Sequence, residues 1–542
     1  MPRHNGLALA GAVLLTVLHT WPLATNPAGL SRLDNADTAL TTWIVSWVAH
    51  ALPRAPLSVF DAPMFHPERR TLAYSEPLLV PGVMAIPLRA ARLDAATTYN
   101  LLVMAGFALS AWAMWRLVTA WTGDPVAGAV AGMAFAFNAH LLTRFGHLQA
   151  LHAEFVPLVL LGVDRIARHR RWRDGVLLGV AIALVGFISI YQLAFVAGAT
   201  VVALVARRCD WRGAAWRTAA VALLGVGVSV ALLAPMLWQY LTVSREIGIV
   251  RSLEEAAHYG ATWRDYLATG GRLHHALWSA RFFPLSAVLF PGVAVTGLAI
   301  AGWLDPRADR GRVRMCVAVG ALGLAMSFGP ALPFYEWLYH AVPLLQATRV
   351  TARWGVLTLT ALALLAGFGV AALRARGAAR TRLAVAVLAP LAVTLEALRA
   401  PMVFTATPPM PAIYRQIAAL PDAVLLEVPM YPGRTFDLNA PYLLGQTEHF
   451  HPMVAGYSGF YTGGYASRIA DLMTFPSDVA QRRLRTLGVT HIVFHLAPLR
   501  RSFREDQIDA LDGLPWIERV LADETARVFR VKRDSLAGAE PR

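Results

Sequence analysis

The chain has 542 residues, of which 56% are hydrophobic and 15% charged, and its mean hydropathy is +0.48. A soluble protein of this size carries more charge, so the composition excludes that class and predicts a polytopic membrane protein. The formal net charge of +15 does not indicate nucleic-acid binding, because the basic residues fall in short clusters between apolar runs. The two cysteines, Cys209 and Cys316, are too few for a disulfide framework or a cysteine-based metal site.

Eleven apolar segments are candidates for membrane-spanning helices, since a span needs about 20 mostly apolar residues. The first has no clear cleavage site for a signal peptidase, so we predict an uncleaved span that starts in the cytoplasm. The predicted spans are 6–23, 98–118, 124–139, 153–168, 174–192, 193–207, 218–241, 284–304, 313–330, 353–373 and 381–398.

Arginine is concentrated in alternate loops between these spans, as expected for the cytoplasmic side of a membrane protein. This pattern predicts a cytoplasmic N-terminus, a transmembrane domain over residues 1–398 and an extracytoplasmic C-terminal domain over 399–542. The arginines in question are Arg165, Arg168, Arg170, Arg171, Arg173, Arg207, Arg208, Arg212, Arg217, Arg307, Arg310, Arg312, Arg314, Arg374, Arg376, Arg380 and Arg382.

A long external loop is predicted over residues 24–97. Trp43 and Trp47 lie four residues apart in it, so a helix here presents two indoles on one face. Such a face is suited either to the membrane interface or to ordinary packing. Within the transmembrane domain, the small-residue spacings Gly128-x3-Gly132 and Gly175-x3-Gly179 predict close helix contacts.

The C-terminal region begins with a proline-rich linker near 401–411 and then alternates strand and helix patterns. Buried strands are predicted at 423–428, 490–494 and 526–531, with helices near 410–419, 464–474 and 478–487. This pattern predicts a small α/β domain, and it contains no phosphate-binding loop, dinucleotide fingerprint or nucleophile elbow.

Asp34 and Asp37 open the first external loop and would share a face on a helical turn. A carboxylate just outside the membrane could accept a proton from an acceptor hydroxyl. Capping of the following helix by one of these acids is the alternative, and residue type alone favours it.

Further along the same loop, the segment Phe65–Pro77 gathers polar side chains ahead of an apolar stretch. His66, Arg69 and Glu76 are candidates for contact with a phosphate and a sugar, although a solvated loop has a similar composition.

The segment 138–154 is unusually polar for its place between two spans. A helix here would align His140, Arg144, His147 and Glu154 in one stripe, and charged groups at a membrane boundary usually face a cavity or one another. We expect contact with phosphate or sugar through Arg144 and His147, together with His152 and Glu154. A metal site is less favoured, because no tight ligand motif is present.

A second large external loop, 242–283, mixes aromatic and charged residues in a way suited to carbohydrate, and Tyr259 is its candidate binding residue. Arg349 and Arg353 stand at the external entrance of the tenth predicted span. Arginine offers a fixed fork of donors for a phosphate group, while anchoring to lipid headgroups is the alternative.

These features together resemble the GT-C membrane glycosyltransferases. The segments Asp34-x2-Asp37-x5-Trp43, Phe65–Glu68, Leu72–Glu76 and Gly456–Phe460 are similar to a bacterial branch described as uncharacterised or YfhO-like membrane proteins. The resemblance extends over nearly the whole chain and rests on architecture and short motifs.

The resemblance implies an enzyme of the bacterial inner membrane that transfers a sugar from a polyprenyl-phosphate donor to a glycan, lipid or protein acceptor on the outer face, with membrane lipids as its other partners. Asp37 or Asp34 would be the general base, and Arg349, Arg353 and Arg144 would hold the leaving phosphate. Many relatives have two adjacent acids where Asn35 and Ala36 intervene here, so the choice of base and the use of a divalent cation stay open. No other cofactor is expected. A lipid or glycan transporter, or a non-catalytic assembly factor on the same scaffold, is the alternative.

Overall fold

A computed structural model describes residues 2–248, 251–283, 287–346 and 348–536. It is mostly helical, with 67% of the residues in helices. The chain forms two compact units, each built from three segments. Unit 1 comprises Met1–Pro27, Asn100–Trp238 and Gly248–Phe404, and unit 2 comprises Ala28–Tyr99, Gln239–Ile247 and Thr405–Arg542.

The helices and strands follow one another in this order along the chain. The first part contains α1 (Pro2–His19), β1 (Leu30–Ser31), α2 (Ala36–Ala51), α3 (Leu79–Ala90), α4 (Ala95–Thr122), α5 (Pro125–Ala136), α6 (Leu148–Leu151), α7 (Val156–His169), α8 (Trp172–Ile188), α9 (Ile190–Ala206), α10 (Arg208–Trp211), α11 (Ala215–Ile247), α12 (Leu253–His258), α13 (Arg272–Leu277), α14 (Val293–Leu304), α15 (Arg310–Ser327), α16 (Pro333–Ala341), α17 (Pro343–Gln346), α18 (Gly355–Arg376) and α19 (Ala379–Ala397). The C-terminal part contains β2 (Thr405–Ala406), α20 (Ala412–Ile417), β3 (Leu425–Val428), α21 (Ala440–Gln446), α22 (Gly463–Leu472), α23 (Asp478–Thr486), β4 (His491–His495), α24 (Leu496–Leu499), α25 (Glu505–Asp509), β5 (Ile517–Ala522) and β6 (Ala526–Val531).

Each predicted span coincides with a helix, but only some helices are long and apolar enough to cross a membrane. Among the described residues, four candidate spans meet both criteria: Ala95–Thr122, Pro125–Thr143, Arg208–Ile247 and Thr351–Arg376. Shorter apolar helices lie at His4–His19, Leu79–Ala90, Ile190–Ala206 and Val293–Leu304. The count of eleven spans therefore stays a prediction.

Several predicted boundaries differ from the helix ends by three residues or more, and two of these differences have a clear physical reason. The span expected at 284–304 is helical only from Val293, since Gly292 before it has a φ of 96°, and its residues 284–286 lie outside the described part. The span expected at 174–192 ends at Ile188, where Ser189 is extended and its side chain caps the next helix through Gln192 N.

Unit 1 is organised around α18, which packs against α5, α14, α15 and α19. The small residues of α18 permit this close packing, because a Cβ on Gly367 would lie only 3.1 Å from the Ala127 carbonyl oxygen of α5. The two glycine pairs predicted from the sequence also mark close contacts. A Cβ on Gly132 would lie 2.5 Å from the carbonyl oxygen of Ala111, and one on Gly175 would lie 2.5 Å from that of Val221.

Unit 2 contains a four-stranded sheet of order β3-β4-β6-β5. β3 and β4 are parallel, whereas β6 is antiparallel to both β4 and β5. The three strands expected from the sequence are β3, β4 and β6. The edge strand β5 was not predicted, because its residues alternate irregularly between exposed and half-buried positions.

The segment 28–99 belongs to the same compact unit as the C-terminal residues. β1 pairs with β2 through Leu30 and Ala406, and the fully buried Trp43 on α2 donates a hydrogen bond from its indole to Gln446 Oε1, 2.8 Å away. Trp47 donates to the Val59 carbonyl oxygen at 2.8 Å. The two tryptophans are thus packing residues and not a membrane-interface face. The division into a transmembrane domain over residues 1–398 and an extracytoplasmic domain over 399–542 stays a prediction.

Candidate functional site

In unit 1, the polar segment between α5 and α7 is a series of turns and not the continuous helix that the stripe required. Asn138 ends the helical path, because its side-chain amide donates to Phe135 O at 2.7 Å and its Oδ1 accepts from Leu141 N at 3.0 Å. A 3-10 turn at Leu141–Thr143 and the short helix α6 follow. The expected helical stripe of His140, Arg144, His147 and Glu154 is therefore wrong.

These turns nevertheless bring basic side chains together with two arginines from a distant segment. Burial and the charges of Arg353, Arg144 and Arg349 hold the pKa of His147 well below its usual range. Burial, together with the charge of Arg353, lowers the pKa of Arg144 to about 10. An imidazole in this environment is neutral at pH 7, whereas the guanidinium groups stay charged. We call Arg144, His147, Arg349 and Arg353 the cation cluster.

Arg349 and Arg353 reach this cluster from different local structures. Arg353 lies in the 3-10 turn Thr351–Trp354 that leads into α18, whereas Arg349 precedes that turn. The two residues are therefore not neighbours on one α-helical face, as the sequence suggested. The guanidinium of Arg353 lies over the Tyr191 ring at 4.8 Å, and the Tyr191 hydroxyl accepts a hydrogen bond from Arg349 N at 3.0 Å.

The short helix α12 flanks the same arginines. Its Glu255 lies 3.6 Å from Arg349 and 3.4 Å from Arg251, and the Arg349 guanidinium lies 5.5 Å from the centre of the Tyr259 ring. A surface cavity of about 590 Å³ is lined by Ser252, Glu254, Glu255, Ala257, His258 and Tyr259. The sequence-predicted Tyr259 is thus beside Arg349, whereas Glu255 was not predicted because an acid in a long polar loop carries no distinguishing pattern.

His152 and Glu154 form a buried pair. His152 Nδ1 is 2.9 Å from Glu154 Oε1, its Nε2 is 3.1 Å from the Leu102 carbonyl oxygen, and the residue is fully buried. Because both ring nitrogens of His152 already face acceptors within the fold, this geometry indicates a packing role for His152. The substrate contact expected of Glu154 stays a prediction.

In unit 2, Asp34 and Asp37 lie in the segment 28–99 and have different surroundings. Neither caps α2, because Asn35 does: its Oδ1 accepts from Asp37 N at 3.0 Å and Thr38 N at 3.2 Å. Asp34 precedes the helix, is exposed, and pairs with Arg32 at 3.3 Å. The expected shared helical face is therefore wrong, as is capping by an aspartate.

Asp37 lies in the first turn of α2 and is half-buried. Its Oδ1 accepts a hydrogen bond from the Tyr457 hydroxyl at 3.0 Å. Tyr457 belongs to the segment Gly456–Phe460, so two short motifs that are more than 400 residues apart meet at this carboxylate.

The other candidates of the first loop have different surroundings. His66 Nε2 lies 3.0 Å from the Leu487 carbonyl oxygen, Arg69 is exposed and Glu76 is half-buried. Glu68, which was not predicted as a site residue, joins this loop to the C-terminal segment. Its Oε2 accepts from the Tyr74 hydroxyl at 2.7 Å, and its Oε1 contacts Thr462 and Arg468.

A metal centre is not evident in the described residues, where no three or more His, Cys, Asp or Glu side chains are grouped to hold an ion. The use of a divalent cation therefore stays a prediction.

Comparisons with known proteins support the fold. A family model described as a domain of unknown function, DUF6311, matches residues 9–254, and no curated protein matches the chain. The chain is similar to the arabinofuranosyltransferase AftD from Mycobacteria, with a TM-score of 0.60 and 16% identity over 99% of this chain and 40% of AftD. It is less similar to ArnT from Cupriavidus metallidurans bound to undecaprenyl phosphate, with a TM-score of 0.45, 16% identity and coverage of 93% of this chain and 98% of ArnT.

The chain thus spans well under half the length of AftD, so the likeness establishes the fold and not an activity. The GT-C resemblance stays a prediction, and so does the YfhO-like branch.

Proposed function

We propose that this protein is an integral-membrane glycosyltransferase that transfers a sugar from a polyprenyl-phosphate donor to an acceptor on the extracytoplasmic face. The observation that carries the proposal is the cation cluster, in which the charges of Arg349 and Arg353, from a segment some 200 residues away, act on His147. The similarity to AftD supports a sugar transferase as the chemical class, by analogy of fold.

The cation cluster suits a leaving phosphate. As the glycosidic bond to the lipid phosphate breaks, negative charge grows on the phosphate oxygens, and fixed guanidinium groups stabilise that charge more than they stabilise the donor ground state. Burial, together with the charges of the three arginines, lowers the pKa of His147, so its neutral imidazole can donate or accept a hydrogen bond without adding to the repulsion among the arginines. Tyr259 and the cavity along α12 lie beside Arg349 and are our candidates for the sugar portion of the donor.

Asp37 is the proposed general base, and it belongs to unit 2. It would accept the proton of an acceptor hydroxyl as the oxygen attacks the anomeric carbon, and a single displacement of this kind inverts that carbon. Asp37 is preferred over Asp34 because it starts a helix, is partly shielded from water and has its carboxylate oriented by Tyr457. Asp34 is exposed and already paired with Arg32.

Binding of the lipid phosphate is tested first, since it needs no knowledge of the sugar. Radiolabelled undecaprenyl phosphate should bind the purified full-length protein in nanodiscs. Arg353→Gln should weaken binding about tenfold or more, because a hydrogen bond to a charged group contributes about 1.5–3 kcal/mol. Arg310→Gln, which removes a charge from a predicted cytoplasmic loop, is the matched control. Equal affinity of both variants and the wild type would contradict the phosphate assignment.

Transfer is then measured as release of polyprenyl phosphate from a panel of polyprenyl-phosphate sugars in the presence of membrane glycolipid extract. Asp37→Asn should abolish release while Asp34→Asn retains it. Binding of the lipid without any transfer from the whole panel would favour the alternative of a transporter or assembly factor. Transfer that survives loss of both aspartates would remove them from the mechanism.

A further inference from the structure

Aromatic side chains surround Tyr457, whose hydroxyl donates a hydrogen bond to the Asp37 carboxylate. Its ring lies 5.4 Å from Phe436, and the Tyr461 ring lies 4.6 Å from the same phenylalanine. Phe436 in turn packs on Phe65 at 6.1 Å, and Phe65 is fully buried. Phe65 therefore forms the buried inner part of this aromatic cluster, and Tyr457 and Tyr461 form its half-exposed outer part.

The loop that carries these outer rings is held at both ends. The Ser458 hydroxyl donates a hydrogen bond to the Tyr74 carbonyl oxygen at 2.9 Å. A Cβ on Gly456 would lie 2.7 Å from the Phe65 ring, so the backbone at Gly456 packs directly on that ring. At the other end Thr462 caps α22 through Tyr465 N and also contacts Glu68. Half-exposed rings fixed in this way are preorganised for a ligand, because little side-chain entropy remains to be lost on binding.

We propose that Tyr457 and Tyr461 form a saccharide subsite for the acceptor beside Asp37, and that Tyr457 is a positioning residue for this carboxylate; the proposal rests on the proposed function. A sugar ring offers apolar C–H faces for aromatic rings and hydroxyl groups for a carboxylate. A carboxylate next to exposed aromatic faces matches that combination. The acceptor is then a glycan or the sugar of a glycolipid. An acyl chain offers no hydroxyl to Asp37, and a serine side chain is too small to cover the aromatic faces.

Binding is tested on the full-length protein in nanodiscs by saturation-transfer difference NMR. The probes are methyl α-D-arabinofuranoside, methyl β-D-galactopyranoside and methyl α-D-mannopyranoside, with N-acetylserinamide as the non-sugar hydroxyl. We expect saturation of ring protons in at least one glycoside, reduced several-fold in both Tyr457→Leu and Tyr461→Leu and retained in Tyr461→Phe, which keeps the ring. Thermal unfolding of each variant identifies loss of the fold, and Tyr457→Met and Tyr461→Met, which also lack the ring, then replace the leucine variants in the comparison.

The positioning role has its own measurement. Tyr457→Phe keeps the ring and removes the hydrogen bond to Asp37, so kcat should fall at least tenfold while the acceptor KM stays within twofold of the wild type. Tyr442→Phe, which removes a hydrogen bond from a tyrosine hydroxyl to the Pro429 carbonyl oxygen, is the matched control and should leave kcat unchanged. A fall in kcat that is equal in both variants would overturn the positioning role.

The outcomes separate this inference from the proposed function. Glycoside binding that depends on the tyrosines, in a protein without transferase activity, would retain the subsite and remove the transferase. Transfer by a protein that shows no glycoside signal, or that binds N-acetylserinamide instead, would overturn the saccharide subsite and leave the transferase standing.

Discussion

Glu68 joins the segment 28–99 of unit 2 to the C-terminal segment of the same unit. Its side chain and that of Arg468 are only 11% and 15% exposed, and their contact is reinforced by the hydroxyls of Tyr74 and Thr462. A buried ion pair satisfied in this way has little net stabilising effect, but removal of one partner leaves the other charge uncompensated.

Arg468→Ala should therefore lower the free energy of unfolding by about 3 kcal/mol. Thermal unfolding of the purified protein measures this change. Adding Glu68→Gln to Arg468→Ala should recover part of the loss, because the stranded charge is then gone. Arg415, whose side chain is 72% exposed and which lies 3.7 Å from Glu448, is the control, and Arg415→Ala should have no measurable effect. Additive effects of the two substitutions at Glu68 and Arg468 would contradict the pairing.

His449 makes the stability of unit 2 depend on pH. Burial and the nearby His451 lower the pKa of the His449 imidazole to about 3, from about 6.5 in an unfolded chain. Between these values the unfolded state binds a proton that the folded state does not, so stability rises with pH. On acidification the stability conferred by neutral His449 begins to be lost near pH 6.5 and continues to fall towards pH 3.

We expect His449→Gln to flatten this dependence by up to about 1.4 kcal/mol per pH unit, the value for one proton. Chemical unfolding from pH 7 to pH 4 is the measurement. The substitution His340→Gln, at an exposed position of unit 1, should leave the slope unchanged. A variant at position 449 with the same slope as the wild type would show that the imidazole is protonated in the folded protein.

At the scale of helices, α14 and α18 in unit 1 approach each other closely at two glycines. A Cβ on Gly369 would meet the backbone carbonyl of Leu298, and one on Gly302 would meet that of Leu365. The atoms that such a Cβ would meet belong to the backbone, which cannot move aside as the end of a flexible side chain can.

Gly369→Ala should accordingly destabilise the protein by about 2 kcal/mol, through overpacking at a backbone contact. Gly297 on the same α14 has no neighbouring atom within 4 Å of the point where a Cβ would lie, so Gly297→Ala is the matched control and should be tolerated. The midpoint of thermal unfolding in detergent would report the difference. Equal midpoints for the two variants would mean that these helices can separate without loss of stability.

Helices and strands were largely predictable from the sequence, because apolar runs and alternation reflect burial of each element by itself. The predicted spans all fall on helices, and β3, β4 and β6 lie where they were expected. The sequence could not predict which elements pack together. Glu68 and Tyr457 became recognisable only once the chain had folded, since their partners are about 400 residues away.

The polar site residues predicted from the sequence show the same limit, because their partners in the fold could not be predicted. The charge of Arg353 does act on Arg144. The continuous helix that was expected to align Arg144 with His140 and His147 is nevertheless absent. His152 was chosen for its residue type, and the structure buries it beside Glu154. Residue type identifies groups that are able to act, whereas burial and partners decide which of them are available.

At the scale of the whole molecule, the chain passes repeatedly between its two compact units, so neither unit is a contiguous stretch of sequence. A protein that ends at Phe404 would retain the segment 28–99 without β2 and without Gln446, the partner of the buried Trp43. We expect trypsin to cleave this truncated protein within 28–99 at least tenfold faster than the full-length protein. Unchanged resistance would show that the segment folds without the C-terminal residues.

Membrane orientation is the remaining property of the whole chain, and the arginine-rich loops of unit 1 bear on it. The helix ends next to these loops are paired with one another: Arg374 of α18 lies 2.6 Å from Asp124, which caps α5, and Arg312 of α15 lies 2.9 Å from Asp164 of α7. Loops that contact one another must lie at the same end of a helical bundle, as alternate loops do in a chain that crosses back and forth.

The excess of arginine predicts that this end is cytoplasmic, so the chain beyond α19 should lie outside. Alkaline phosphatase fused after Val531 should therefore be active, and the same enzyme fused after Arg310 should be inactive. Green fluorescent protein at the two positions should give the reverse pattern, which guards against loss of activity through misfolding of a fusion. Active phosphatase at both positions would show that one of the predicted spans does not cross the membrane. Active phosphatase at Arg310 alone would show that the chain has the opposite orientation, and the assignment of Asp37 to the extracytoplasmic face would then fail.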